Sequence, residues 1–216
     1  MAALRDVASG FAHYLAGELS FDQKTTDTIR YGMEILLGAI VQGVIIIGAS
    51  YLLGIMPYVV VALGTLSILR LLSGGAHFST FGRCTVFSTS MAMSVGYLAI
   101  AVTPYMDKKA VALSVALTAF IALYLASRWA PVDSPSKPTT REDKRRAYKR
   151  LSSLYVVFWA IIVTLIVFVY GGRPPILSLI LASTGGLIAQ LFSLHPSGRR
   201  FVGAVDDVLS KCSIRR

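Results

Sequence analysis

Six blocks of mostly apolar residues, between 15 and 22 residues long, constrain this chain more than any other feature. A bilayer core of roughly 30 Å is crossed by about 20 residues of helix, in which the backbone N–H and C=O groups pair internally. The blocks are Ile35–Met56, Tyr58–Leu72, Thr85–Tyr105, Ala110–Trp129, Leu151–Tyr170 and Ile176–Leu194. Only 15% of the 216 residues are charged, whereas soluble domains carry about 25%. The sequence therefore predicts an all-α polytopic membrane protein with six spans.

The second block departs most from a standard span. It holds 15 residues, follows Pro57, and carries Arg70 near its end. We expect it to be short, distorted, or assisted by an arginine side chain that reaches the membrane surface.

The positions of the basic residues predict the topology. The formal net charge is +10, which in a soluble protein would suggest nucleic acid, but membrane topology explains it more simply. With a cytoplasmic N-terminus, 18 of the 21 Lys and Arg residues lie inside, and Lys108, Lys109 and Arg173 lie outside. The pattern predicts a multi-pass membrane protein whose two termini and 73–84 loop are cytoplasmic.

Two amphipathic segments and one basic loop flank the spans. Apolar residues recur at helical spacing in 4–19 and again in 201–212, which predicts a surface helix at each end. A turn-rich linker at 131–138 precedes a basic run at 141–150. This run is explained equally well as a topology anchor and as a binding surface for an acidic partner or anionic lipid.

Standard signatures of soluble enzymes are missing. The sequence has no P-loop, dinucleotide-binding glycine pattern, HExxH or GxSxG motif. His13, His77 and His195 are isolated from one another, so we expect no metal site and no cofactor. For His13 and His195 we expect side chains at the membrane interface. Cys84 and Cys212 form no CxxC pair, and we expect both to be reduced.

His77 and Cys84 form the most suggestive pair, seven residues apart in a loop predicted to face the cytosol. On one straight helix they would stand about 10.5 Å apart along the axis, whereas a nucleophile and its base approach to roughly 3 Å. A catalytic pair therefore requires the chain to bend between them, which Gly74, Gly75 and Gly82 tolerate.

Cys84 would then stand at the N-terminus of the third span. Unpaired amides, the helix dipole and the charge of Arg83 favour a thiolate there, and the amides could also stabilise an oxyanion. The alternative is a small buried cysteine beside an interfacial histidine, and spacing alone does not decide between the two.

The stretch Arg70-Leu-Leu-Ser-Gly-Gly-Ala-His77, followed by Cys84 after the second apolar block, resembles the signature of the accessory gene regulator B family, AgrB. Ala130-Pro-Val-Asp-Ser134, with Lys137-Pro138 and the basic run, resembles the central loop of that family. Ser136 departs from the Asn expected before Lys-Pro. The resemblance extends over nearly the whole chain.

The resemblance implies a cysteine endopeptidase of peptide quorum sensing in the bacterial cell membrane. Cys84 would be the nucleophile and His77 its general base, and Arg70 and Gly75 would support the site. The substrate would be an AgrD-like precursor, cleaved before its acidic tail through an acyl thioester and cyclised to a thiolactone or lactone. Five basic residues would hold the tail: Lys144, Arg145, Arg146, Lys149 and Arg150. A homodimer is also implied, and nucleic acid is not.

The whole chain, 1–216, is then one peptidase domain in the membrane. Its parts are an interfacial segment (1–34), spans one and two (35–72), the catalytic loop (73–84), spans three and four (85–129), the basic loop (130–150), spans five and six (151–194) and a cytoplasmic tail (195–216).

Two readings without catalysis stay open. In a small peptide transporter, intramembrane polar groups would line a path: Gln42, Ser88, Ser90, Thr118 and Gln190. In a membrane scaffold, the basic loop would bind lipid or a partner. Glu34, Gln42 and Gln190 are the candidates for a residue that orients His77.

Overall fold

The computed structural model describes residues 2–132 and 142–214, with side chains from 5 to 132 and from 142 to 211. Within these ranges the regular structure is helical. The helices are α1 (Ala2–Leu19), α2 (Gln23–Leu52), α3 (Met56–Ser73), α4 (Phe81–Val102), α5 (Lys108–Trp129), α6 (Glu142–Tyr170), α7 (Pro174–Leu194) and α8 (Pro196–Ile214), with a 3₁₀ turn at Thr103–Tyr105.

Local sequence explains where several helices begin. The side chain of Asp22 accepts a hydrogen bond from the Thr25 amide at the start of α2 (3.1 Å), and Asp107 does the same for Ala110 at the start of α5 (2.7 Å). A proline occupies the first turn of both α3 and α7, where its missing N–H would have no partner in any case.

Six of the helices, α2 to α7, are long and apolar enough to cross a membrane. This confirms the predicted all-α, six-span architecture. The second span is an 18-residue helix, the shortest of the six as predicted, and it is regular rather than distorted. The third span begins at Phe81, four residues earlier than predicted, so the loop before it comprises residues 74–80 alone.

Helix α7 is the centre of the bundle. It packs on α3, α4 and α5, and 61% of its apolar stretch is buried inside the protein, against 17–33% for the other five spans. Glycines permit the close approach: Gly186 lies against the backbone of Ala62 in α3, and Gly185 against Val95 in α4. The end of the bundle that carries Arg70 is therefore built on the most closely packed helix pair, α3 and α7.

A helix is present at each end where a surface helix is predicted, and its location at the membrane surface stays a prediction. In α1, Ala8 and Ala12 are buried, whereas Val7, Phe11 and Tyr14 point away from the protein. Since α1 packs on α2 through its small residues, its larger apolar side chains are free to contact lipid, as expected of an interfacial helix.

Three connections meet at one end of the bundle. The Val132 amide donates to Ser73 O (2.8 Å), and the Ala76 amide donates to Ser193 O (3.2 Å). At the opposite end, Lys108 Nζ donates to Phe168 O (2.8 Å). The segments after α3, α5 and α7 thus share one side, as six alternating spans require, and the assignment of that side to the cytoplasm stays a prediction.

Candidate active site

Arg70, in the last turn of α3, is the hub of the predicted site. Its Nη1 donates to Ser193 Oγ (3.2 Å), and its Nη2 donates to the backbone oxygen of Ala76 and approaches His77 Nδ1 (3.4 Å). Besides ending α3, Arg70 therefore ties that helix to α7 and to the loop that carries His77.

Helix α7 contributes two polar residues to the same network. Ser193 Oγ accepts a hydrogen bond from the Ala76 amide (2.9 Å) as well as from Arg70. Gln190, which is fully buried, donates through Nε2 to Ser73 Oγ (3.0 Å) and to Gly74 O (2.7 Å). The loop segment before His77 is therefore held by hydrogen bonds at almost every residue.

Gly74 and Gly75 are required by the close packing of this segment. Gly74 has φ +68°, which favours glycine, and a side chain there would meet the backbone oxygen of Val132. A Cβ on Gly75 would lie 2.5 Å from Ser193 Oγ. Both glycines let the chain pass close to its neighbours and so fix the direction in which His77 leaves the loop.

The His77 ring lies at the loop surface beside Arg70. Although part of the ring is exposed, partial burial lowers the pKa of His77, and the positive charge of Arg70 lowers it further. A lowered pKa keeps the imidazole neutral at pH 7, the form that a general base needs. Since Arg70 can only donate, a hydrogen bond at this contact uses Nδ1 as the acceptor.

Cys84 is a half-buried free thiol in the first turn of α4. Thr80 provides no side-chain cap, and within the described part of the chain the amides of Phe81, Gly82 and Arg83 have no hydrogen-bond acceptor. Cys84 therefore shares the first turn of α4 with amides that have no described acceptor. The predicted position at a helix N-terminus is thus found.

The residues between His77 and Cys84 are bent, because the chain is non-helical from Gly74 to Thr80. The two side chains do not yet meet. Among the described contacts, Cys84 Sγ has Ser88 Oγ at 4.0 Å and makes no hydrogen bond with His77. Arg70 lies within electrostatic range of Cys84. Catalytic hydrogen bonds are often long in unliganded enzymes and tighten when substrate binds.

Sequence reasoning missed two residues that hold this region, Ser193 and Asp206. Asp206, in α8, contacts Ser79 and Arg83, which lie between His77 and Cys84. The signals were present but weak: Ser193 lies one helical turn after Gln190, and Asp206 is an acidic residue in a predicted basic cytoplasmic tail.

The five candidate tail-binding residues lie apart from this network. Lys144, Arg145, Arg146, Lys149 and Arg150 are all exposed at the start of α6. Arg146 pairs with Glu142 (2.9 Å), an exposed contact within the same helix. The rest of the predicted loop, 133–141, including Ser136, Lys137 and Arg141, lies outside the described residues, as does the side chain of Cys212.

Other predicted candidates are not brought to the site. Glu34 pairs with Arg30 (3.9 Å) on α2. Gln42 lies on α2, which packs on α1, α3 and α4, whereas Thr118 lies on α5, which packs on α6 and α7. Of the three candidates for orienting His77, Gln190 is the one whose described contacts reach its loop.

The histidines do not converge on a metal site. His13 bonds to Ser9 O (2.8 Å) in α1, and the His195 ring packs edge-on against Trp129, with 4.7 Å between ring centroids. No group of three or more His, Cys, Asp or Glu side chains placed to bind a metal ion occurs in residues 5–132 and 142–211.

Comparison with known proteins supports the resemblance seen in the motifs. An AgrB-like protein of Clostridium perfringens SM101 is 24% identical over 200 residues, covering 91% of this chain and 94% of its own. AgrB-like protein 2 of C. perfringens strain 13 is 22% identical over 215 residues, covering 96% and 99%. No solved structure matches the chain significantly.

The family model for accessory gene regulator B matches residues 8–194. This membrane protein therefore belongs to the AgrB family, which acts with AgrD precursor peptides in Agr quorum sensing.

Proposed function

We propose that the chain is a cysteine endopeptidase that removes the C-terminal tail of an AgrD-like precursor and closes the remaining peptide into a ring. Cys84 is the nucleophile and His77 is the general base. The observation that carries this proposal is the placement of His77 by Arg70 and Ala76, beside a helix whose first turn presents Cys84 and unpaired amides.

The first step forms an acyl-enzyme. His77 takes the thiol proton, and Cys84 Sγ attacks the carbonyl carbon that precedes the tail. The free amides at the start of α4 are donors for the oxyanion. When the C–N bond breaks, His77 returns its proton to the amine of the departing tail, and the peptide stays on Cys84 as a thioester.

Arg70 controls which nitrogen is available for this proton. Its Nη2 faces His77 Nδ1, and that nitrogen must be free to accept a proton from Cys84. A substrate carbonyl or carboxylate that binds the guanidinium would draw Arg70 away from Nδ1. Substrate binding and activation of the base are thereby linked through one side chain.

The second step is an acyl transfer within the peptide. A Cys or Ser of the precursor attacks the thioester, loses its proton, and releases Cys84 as the thiol, which closes a thiolactone or lactone. Exchange between two thioesters is nearly balanced, so water must be kept from the intermediate. The predicted location of the site at the inner membrane face would provide this protection.

The surfaces around the site suit the rest of such a precursor. An amphipathic leader would lie in the same lipid interface as α1, and an acidic tail would be steered by the exposed basic residues of α6. Those residues would also contact anionic lipid of the inner leaflet. A homodimer follows from the family resemblance and is tested by mass measurement in nanodiscs.

The proposal is tested with purified protein in liposomes and a cognate AgrD-like precursor. Intact mass should show an acyl-enzyme adduct together with tail release. Both should disappear in Cys84→Ala, fall by about a thousandfold in His77→Ala, and persist in Cys212→Ala, the matched thiol control. Cleavage by Cys84→Ala at the wild-type rate would overturn the proposal.

A further inference from the structure

The segment between His77 and Cys84 is held from outside by one carboxylate of α8. Asp206 Oδ2 accepts a hydrogen bond from the Ser79 amide (3.0 Å), and Oδ1 accepts one from Arg83 Nη1 (3.0 Å). Arg83 Nη1 also lies 3.4 Å from the backbone oxygen of Asp206 and 3.3 Å from Ser79 Oγ.

The position of these contacts in the sequence is informative. Ser79 is two residues after His77, and Arg83 directly precedes Cys84. The two carboxylate oxygens of Asp206 thus bind both ends of the bend. One accepts a hydrogen bond from the loop backbone at Ser79, and the other accepts one from the Arg83 side chain in the first turn of α4. The six residues between the proposed base and nucleophile, 78–83, are thus supported from α8.

The Asp206–Arg83 pair is also sheltered. The Asp206 side chain is 15% exposed and that of Arg83 is 18% exposed. In the Arg146–Glu142 pair of α6, by contrast, Arg146 is 67% exposed and Glu142 is 77% exposed. The hydrogen bond from Ser79 is the largest of the effects that lower the pKa of Asp206. The hydrogen bond and the positive charge of Arg83 lower it further. Asp206 is therefore fully ionised at neutral pH and can make a charge-assisted hydrogen bond to each partner.

Helix α8 lies beyond the part of the chain that the AgrB family model matches, which ends at residue 194. We propose that Asp206 is a positioning residue, through which α8 fixes the bend that sets His77 and Cys84 for reaction. This inference rests on the proposed function. It assigns to a C-terminal helix a part in the site that the family match does not include.

The test compares Asp206→Asn with Asp207→Asn, the next residue of α8, whose side chain is exposed. With the cognate precursor, Asp206→Asn should lower the single-turnover rate of tail release by about tenfold or more, because the reacting groups are no longer held in register. KM should change little, and Asp207→Asn should match wild type. Wild-type turnover by a folded Asp206→Asn would overturn the inference.

A reversed pair separates positioning from loss of folding. Arg83→Asp and Asp206→Arg should each be impaired alone, and together they should recover part of the rate, since the ion pair is rebuilt with opposite polarity. A reversed pair no faster than the single variants, at equal recovery and thermal stability, would contradict the inference.

A measurement without peptide keeps this inference distinct from the proposed function. In a Cys212→Ala background, a thiol introduced by His77→Cys is joined to Cys84 with a short thiol-to-thiol crosslinker. Adding Asp206→Asn should lower the crosslinking yield several-fold, whereas adding Asp207→Asn should not. An unchanged crosslinking yield would overturn the positioning role of Asp206, even if cleavage by Cys84 is established. Conversely, if the protein fails to cleave the precursor, the crosslinking result still tests that role.

Discussion

Two regions at the same end of the bundle carry the basic residues of interest, and they are built differently. At the junction of α3 and α7, Arg70 bonds to a side chain of another helix and to a loop backbone. At the start of α6, the described partner of Arg146 is Glu142, one turn away, and both side chains are exposed. A charge held in a network acts through geometry, whereas an exposed charge acts through the field that it creates.

The largest expected effect separates the two arginines. Arg70→Ala should lower kcat/KM for tail release by about a hundredfold or more, because the variant loses the donors that hold Ala76 and His77. Arg146→Ala should change it by less than about twofold, since exposed pairs contribute at most about 1 kcal/mol. Kinetics with a cognate precursor in liposomes measure both.

Arg70→Lys sharpens this comparison. Lysine keeps the charge but lacks the planar fork that reaches Ser193 and Ala76 together. We expect it to recover little of the lost rate. If Arg70→Lys were as active as wild type, charge rather than geometry would be the property that matters at this junction.

The second effect concerns how tightly the loop before His77 is packed. Gly75→Ala would place a Cβ 2.5 Å from Ser193 Oγ, so the loop has to move. We expect about a tenfold loss of activity and a loss of stability of about 1–3 kcal/mol, measured by kinetics and by thermal unfolding in nanodiscs.

Gly64→Ala is the matched control for Gly75→Ala. Gly64 lies within α3, and nothing stands within 4 Å of an added Cβ. Because alanine favours helix, the control should be neutral or more stable by up to about 1 kcal/mol. Equal behaviour of the two variants would show that the loop is not tightly packed.

Much of the fold could be predicted because the bilayer imposes a simple rule on sequence. Long apolar blocks and the distribution of Lys and Arg gave six spans in alternating directions. The helix ends were predicted less well, since α6 continues through charged residues back to Glu142 and α4 begins at Phe81. Hydropathy locates the membrane core and carries little information about where a helix enters water.

The site was predicted in part, for a different reason. His77 and Cys84 are near in sequence and form a recognisable motif with Arg70. Ser193 and Asp206 are more than a hundred residues away from the loop that they hold, and a serine or aspartate in isolation carries no signal of its partner. Contacts between distant elements depend on helix packing, which a single sequence does not reveal.

A third effect, smaller in size, appears in the pH profile. The lowered pKa of His77 means that the base stays neutral to lower pH than a free histidine, so kcat/KM should decline only below about pH 6.5. Arg70→Gln removes the positive charge, which is the smaller cause of the lowered pKa of His77. The pH at which kcat/KM of this variant declines should therefore rise toward about 6.5. It should stay below that value, because partial burial still lowers the pKa. Arg146→Gln should leave the limb where it is, and an identical shift in both would assign the effect to overall charge.

The smallest effect belongs to the exposed region and is recognised by its response to salt. Lys149→Glu should raise KM for a precursor with an acidic tail by up to about fivefold, the size expected for exposed pairs. At 1 M salt the screening length falls from about 10 Å to about 3 Å, so the difference from wild type should disappear. The loss in Arg70→Ala should persist at that salt, because its contacts are partly buried hydrogen bonds. A Lys149→Glu defect that resists salt would show that α6 binds the tail through defined contacts rather than through its field.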